Sequence, residues 1–264
     1  MQDFNRAIEL NQKLAGAYVN RGRLHAQQSN YSLALGDYDR AINLQPKNAQ
    51  AYLGRGTTNA QMKNFDQAMQ DSNRAIELNP KFVDAYIYRG RLHAQQKDYS
   101  LAMSDFEKAI SIQPKNAQAY LGRGTTNAQM QNFDQAMQDF NRAIELNPKL
   151  LDAYVNRGRL HVQQKDYSLA MSDFKNAVSI QPKNAEAHYW MASIKLTEKE
   201  CSTALSYINQ AIEFNPNVSE TYLLRGNAYH CLGNKDDAIE NWKAAARMGN
   251  KNVQKFLESK KITW

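Results

Sequence analysis

VDAYIYRGRLHAQQKDYSLAMSDFEKAISIQPKN, residues 83–116, carries two helical patterns in succession and a single proline near its end. Tyr86, Gly90 and His93 stand at the i, i+4, i+7 spacing that aligns side chains on one helical face, which predicts a first helix, A. After the polar turn at Lys97-Asp98, Tyr99, Ala102, Phe106, Ala109 and Ile110 repeat the helical spacing in a second helix, B, and Pro114 prevents it from continuing. Glycine inside a helix costs about 1 kcal/mol relative to alanine. Close approach of the two helix backbones, Gly90 against the small Ala102, is the compensation the pattern implies.

The same layout recurs along the chain. Pro46, Pro80, Pro114, Pro148, Pro182 and Pro216 are all of the prolines, and each follows the last by 34 residues. An internal period of that length marks a repeat architecture, with seven units at 15–48, 49–82, 83–116, 117–150, 151–184, 185–218 and 219–252. A longer period overlies it. RGRLH occurs at 21–25, 89–93 and 157–161, and AQAYLGRGTTNAQM begins at both Ala49 and Ala117, so pairs of units were duplicated as blocks of 68 residues. The opening MQDFNRAIEL is identical to Met137–Leu146, which reads residues 1–14 as helix B of an incomplete repeat, either truncated or completed against another chain. Repeat arrays need closed ends. Residues 250–264 read as a capping helix and tail, with Val253, Phe256 and Leu257 on one face and Lys251, Lys255 and Lys260 toward water.

Composition sets limits. With 264 residues, 42% hydrophobic and 22% charged, the chain has the make-up of a folded protein rather than a disordered one. No run of about 18 apolar residues exists to span a bilayer, and MQDFNRAIEL lacks the layout of a secretory signal, so the expected location is cytoplasmic, an expectation that weakens if the start is truncated. A net charge of +7 favours acidic partners without naming one. Cys201 and Cys231 are too few for a disulfide framework and lack metal-site spacing, so they read as small packing residues. Antiparallel packing would nevertheless bring them together, and an oxidising compartment would allow a bond.

In its residues the chain resembles the tetratricopeptide repeat family. Tyr120, Gly124, Ala136, Phe140, Ala143 and Pro148 follow that family's 34-residue pattern of aromatic and glycine on helix A, then alanine, aromatic, alanine and a closing proline on helix B. The resemblance covers nearly the whole chain. The sixth unit departs from it with His188, Ala192 and Cys201, and the seventh has Asn250 where proline is expected. What the resemblance implies is an all-α fold, a right-handed α-solenoid (superhelix) of antiparallel helix pairs, acting as a non-enzymatic scaffold that binds a partner protein's peptide in the concave groove of its A helices.

Each RGRLH copy divides between packing and recognition. A helix turns about 100° per residue, so Gly90 and His93 lie on the packing stripe while Arg91 lies on a face shared with Asp84, Ile87 and Ala94. In the family this face lines the groove. The candidate peptide-binding residues are therefore Arg23, Arg91 and Arg159, with Val19, Leu53, Ile87, Leu121 and Val155 as apolar neighbours and Asn20, Thr57, Asp84, Thr125, Asp152 and Asn156 beside them. Three arginines in register suit carboxylate or phosphate. Arg21, Arg55, Arg89, Arg123, Arg157 and Arg225 read instead as stems covering apolar surface with wet heads. His25, His93 and His161 lie four helices apart, too far to share a metal ion, and read as packing residues. Tyr18, Tyr52, Tyr86, Tyr120, Tyr154 and Tyr222 read as core, and Asp37, Asp71, Asp105, Asp139 and Asp173 as a solvated face of helix B.

Two binding modes of the family fail on these residues. The clamp for chaperone C-terminal carboxylates would need basic and amide residues where Leu121, Thr125, Glu186 and Trp190 flank Asn156, and an asparagine ladder would need Asn at Gly54, Tyr88, Gly122 and Trp190. No phosphate loop, catalytic triad or metal motif is present in the sequence, and no cofactor is implied. RNA binding is the less favoured alternative, since the basic residues are spread over many faces with acidic ones among them. Self-assembly through uncapped ends is another, giving a homo-oligomer.

Overall fold

The computed structural model describes residues 1–264, with sixteen α-helices and no strand. The first-of-pair helices are α2 (Ala15–Gln27), α4 (Ala49–Gln61), α6 (Val83–Gln95), α8 (Ala117–Gln129), α10 (Leu151–Gln164), α12 (Ala185–Thr197) and α14 (Ser219–Cys231). The second-of-pair helices are α3 (Tyr31–Leu44), α5 (Phe65–Leu78), α7 (Tyr99–Ile112), α9 (Phe133–Leu146), α11 (Tyr167–Ile180), α13 (Cys201–Phe214) and α15 (Lys235–Arg247), with α1 (Gln2–Leu10) before them all and α16 (Lys251–Ser259) after. Two compact units divide the chain, Met1–Asp139 and Phe140–Trp264.

Local chemistry sets the punctuation. Asn48, Asn116 and Asn184 stand just before α4, α8 and α12, and each side-chain oxygen accepts the backbone N–H three residues on, at 3.1, 3.1 and 2.7 Å. That satisfies an amide otherwise orphaned at a helix start. Between the helices of a pair the chain turns through one left-handed residue, Ser29, Lys63, Lys97, Gln131, Lys165 and Lys199, with glycine at this place only in the last pair, Gly233. The second helix then ends beside proline, as at Gln45-Pro46.

Packing follows the alternation of small and large residues. In the first unit α2 packs on α3, α4 on α5 and α6 on α7, and in the second α10 packs on α11, α12 on α13 and α14 on α15. Ala34, Ala68, Ala102, Ala170, Ala204 and Ala238 are completely buried, and a Cβ added to Gly56 would meet the Ala68 carbonyl oxygen at 3.2 Å. Phe106 and Phe174 are wholly buried in their layers, each contributing about 2–3 kcal/mol by removal from water. At the far end α16 buries Val253 and Leu257, whereas Phe256 remains exposed with its ring edge-on to Trp242 at 5.3 Å.

The aspartates expected on a solvated face are buried instead. Asp37, Asp71, Asp105, Asp139 and Asp173 are only 2–6% exposed. Each accepts the guanidinium of the arginine 16 residues earlier: Arg21, Arg55, Arg89, Arg123 and Arg157, at 2.6–2.8 Å for the closest contact. Those arginine heads are therefore not free in water. In Arg55 and Arg89 Nη1 also reaches back to the preceding second helix, to Asp39 at 2.7 Å and to Asn73 at 2.8 Å. Their stems do cover apolar surface, with the guanidinium of each 5.5–5.8 Å from a tyrosine ring centroid in Tyr18, Tyr52, Tyr86, Tyr120 and Tyr154. A buried carboxylate is tolerated only when paired and hydrogen-bonded, and the ladder supplies both.

The cysteines are also more than packing residues. Cys201 at the start of α13 and Cys231 at the end of α14 form a disulfide, with Cα atoms 6.1 Å apart. Cys201 stands where Tyr31, Phe65, Tyr99 and Tyr167 begin the equivalent helices, so a covalent tie replaces an aromatic contact.

Candidate functional site

The first-of-pair helices share one side of each unit. In the first unit α2 touches α4 and α6 touches α8, and in the second α10 touches α12 and α12 touches α14, whereas the second-of-pair helices make no comparable contact with one another. Curvature therefore brings the first helices together on the inner side of each unit. On that face Asn20, Arg23, Asp84, Arg91, Asp152 and Arg159 are exposed, Leu53, Thr57, Thr125 and Asn156 half-buried. Val19, Ile87, Leu121 and Val155, expected as apolar lining, are only 3–6% exposed and belong to the core. The accessible face is thus more polar than the residue spacing suggested.

Two of the three arginines expected to await a partner have internal ones. Arg91 Nη2 donates to Gln118 Oε1 of α8, and Arg159 Nη1 lies 3.6 Å from Glu186 Oε1 of α12. Each bridge runs 27 residues forward, from the middle of one first helix to the start of the next. Arg159 also lies over the Trp190 ring, 5.9 Å from its centroid, while that ring's Nε1 donates to Glu186 at 3.4 Å. Both members of the Arg159 pair are about half exposed, which keeps the pair weak and exchangeable.

Between the arginines, one groove position is governed by the core behind it. Tyr38 and Phe106 fill their layers, and Gly54 and Gly122 sit directly against those rings, where any Cβ would collide. Where Ser72 stands in place of the aromatic, Tyr88 of the next first helix occupies the space and donates its hydroxyl to the Gly56 carbonyl at 2.9 Å. Burial pushes the Tyr88 phenol well above its ordinary range, with Asp71 adding to it. In the sixth unit Trp190 lies parallel to Phe174, with centroids 6.3 Å apart and planes 7° apart. Sequence reasoning missed Tyr88 and Trp190 as paired with their neighbours, although the signal is there: tyrosine appears where the preceding unit has serine for its aromatic.

The histidines keep their packing role. His25, His93 and His161 place Nε2 at 3.9–4.0 Å from Asp37, Asp105 and Asp173. In another unit Asn127 takes the same place and donates to Asp139 at 3.2 Å. Burial holds the His161 imidazole below its ordinary value, with Arg157 adding to the depression and Asp173 and Asp166 opposing it. Of the six tyrosines expected as a core stripe, Tyr18 and Tyr86 are buried, whereas Tyr52, Tyr120, Tyr154 and Tyr222 are half-buried at its edge.

Comparison with known proteins identifies the repeat and the fold. Sequence profiles of the tetratricopeptide repeat match residues 19–81, 83–116, 117–150 and 161–228. Among curated proteins none matches significantly. Similar solved structures include the APC/C hetero-tetramer Cut9-Hcn1, at 18% identity and a TM-score of 0.79 over 85% of this chain and 45% of that one. The present chain thus spans less than half of that relative. PilF of Pseudomonas aeruginosa is similar at 20% identity and a TM-score of 0.71 over 80% of this chain and 97% of that one. YrrB, described as a TPR protein with an unusual peptide-binding site, is similar at 24% identity and a TM-score of 0.50 over 70% and 95%. At these identities the likeness shows the fold, and with profiles matching most of the sequence the chain belongs to the tetratricopeptide repeat family.

Proposed function

We propose that the chain is a non-enzymatic interaction scaffold whose first-of-pair helices hold a peptide segment of a partner protein along the inner face of each unit. The observation that carries this reading is the contrast between faces. The inner face presents side chains that differ from unit to unit, exposed Asn20 and half-buried Tyr88, Asn156 and Trp190 at one register and exposed Arg23, Arg91 and Arg159 at another, over a core that repeats closely. Variable polar and aromatic groups on rigid helices are the means by which a repeat surface acquires specificity.

No helix of the chain is long and apolar enough to cross a membrane. The Cys201–Cys231 disulfide weighs against the cytoplasm, where such bonds are rare, and in favour of an oxidising compartment. Affinity capture from a native extract tests the groove. A variant with the exposed inner-face residues Asn20, Arg23, Asp84, Arg91, Asp152 and Arg159 changed to alanine should lose the captured partner, while a variant with Arg40, Lys108 and Lys175 on the exposed side of the second helices changed to alanine should retain it. Retention by the first variant and loss by the second would refute the placement.

A further inference from the structure

The arginine bridges leave a pattern of gaps. Each runs 27 residues forward, Arg91 to Gln118 and Arg159 to Glu186. The same step leads from Thr57 to Asp84 within the first unit and from Ser193 to Glu220 within the second. At these steps the acceptor is a carboxylate, and the residue facing it is too short to reach. Thr57 spends its hydroxyl proton on the Gly54 carbonyl, at 2.8 Å. Asp84 is exposed and makes no ion pair within the chain, and Glu220 accepts only from the adjacent Ser219 hydroxyl, at 3.1 Å. Two carboxylates thus lack the arginine that the alternate steps place opposite their acceptor.

Charge on the inner face of the second unit points the same way. There Arg159 is the cation and Asp152, Glu186 and Glu220 are the anions, so the face is negative although the chain as a whole is +7, while in the first unit Asp84 stands with Arg23 and Arg91. Two of the three arginines are already engaged, and of the carboxylates only Glu186 has an arginine beside it. The step that is filled shows what the empty ones suit: in the fifth and sixth units a guanidinium lies between the Glu186 carboxylate and the Trp190 face. One turn from Asp84 on the same helix stands Tyr88, a ring that would take the stem of such a cation.

We infer that the inner face of each unit recognises a basic segment of a partner protein, whose lysine or arginine side chains enter the Thr57/Asp84 step of the first unit and the Ser193/Glu220 step of the second, each unit by itself, in place of the missing internal arginines. This rests on the peptide-binding reading of the first helices and specifies its chemistry, reversing the acidic partner that net charge suggests.

The test uses two fluorescent peptides of equal length, one alternating lysine with alanine and leucine, the other carrying glutamate in place of each lysine. Binding to the full-length chain is measured by anisotropy at low ionic strength. The lysine peptide should bind more tightly, and Asp84→Asn with Glu220→Gln should weaken it by about threefold to tenfold, the range for losing two exposed charge pairs. Thr57→Arg with Ser193→Arg, which fills both steps internally, should weaken it similarly, and circular dichroism of every variant confirms that the helices remain. Tighter binding of the glutamate peptide, lost on changing Arg23, Arg91 and Arg159 to alanine, would overturn the basic partner and leave the groove standing. Binding of neither peptide, or binding indifferent to all of these changes, would overturn both.

Discussion

Removing either member of the Arg89–Asp105 pair should not cost the same. Asp105 is 4% exposed and accepts Nε at 2.9 Å and Nη2 at 2.7 Å, so Arg89→Met, which keeps the stem, strands a buried carboxylate with only the His93 imidazole nearby, at 3.9 Å. Stranding a buried charge in this way costs about 3–5 kcal/mol. In Asp105→Ala the guanidinium retains Asn73 at 2.8 Å, and its side chain, already 23% exposed, can turn its head to water. Two charge-assisted hydrogen bonds are lost but no charge is trapped, and the cost should be about 1–2 kcal/mol. Replacing both, Arg89→Met with Asp105→Leu, removes the pair without leaving an orphan and should cost less than Arg89→Met alone. Urea unfolding followed by far-ultraviolet circular dichroism measures all three variants. Equal costs for the single variants, or a larger one for Asp105→Ala, would refute the claim that the ladder exists to neutralise a buried carboxylate.

Glycine positions should respond in opposite directions: Gly122→Ala, driven against the buried Phe106 ring, should destabilise by about 1–3 kcal/mol, while Gly36→Ala, with open space around it on helix α3, should stabilise by up to about 1 kcal/mol in the same unfolding assay. The His161 imidazole is held below its ordinary value in the folded chain, so its contribution to stability is present above about pH 6.5 and is lost as pH falls through the folded value. His161→Asn, which copies Asn127, should flatten the decline in thermal midpoint between pH 7 and pH 5, and an unchanged slope would contradict the assignment. Reducing the Cys201–Cys231 bond, which closes a loop of 30 residues, should lower stability by about 3–4 kcal/mol in the chain-entropy account. Thermal unfolding with and without a dithiol reductant reads it, and a Cys201→Ser, Cys231→Ser variant should show no response to the reductant.

The fold was legible because its determinants are periodic. Proline, glycine and the small alanines occur at fixed places in a 34-residue unit, and each acts locally, by ending a helix or permitting close packing. The buried ladder was not legible from helical phase alone. Arg89 and Asp105 lie at the flanks of their stripes, and only the packing of α6 on α7 turns two flank positions into one buried pair. The same limit applies to the site. Helical phase placed Arg91 and Arg159 on the inner face, yet Gln118 and Glu186 lie on the next first helix, and a contact between neighbouring repeats has no signature within one helix. Ile87 and Val155 show the opposite error, since a residue one turn from an exposed arginine can still be covered by the adjoining helix. The nearness of Cys201 and Cys231 was legible from antiparallel packing of α13 on α14, but the bond itself was not, because two cysteines 30 residues apart carry no spacing rule that tells a disulfide from a pair of packed thiols.

The central claim is that partner segments bind along the first-of-pair helices. Peptides selected from a randomised display library against the intact chain, followed by mapping of amide chemical-shift changes on titration, test it directly. The account predicts shifts concentrated in α4, α6 and α8 of the first unit and in α10, α12 and α14 of the second, with Asp84, Tyr88, Trp190 and Glu220 among the residues affected. Shifts confined to the outer faces of α3, α5, α7, α11 and α13, or to α1 and α16, would contradict it.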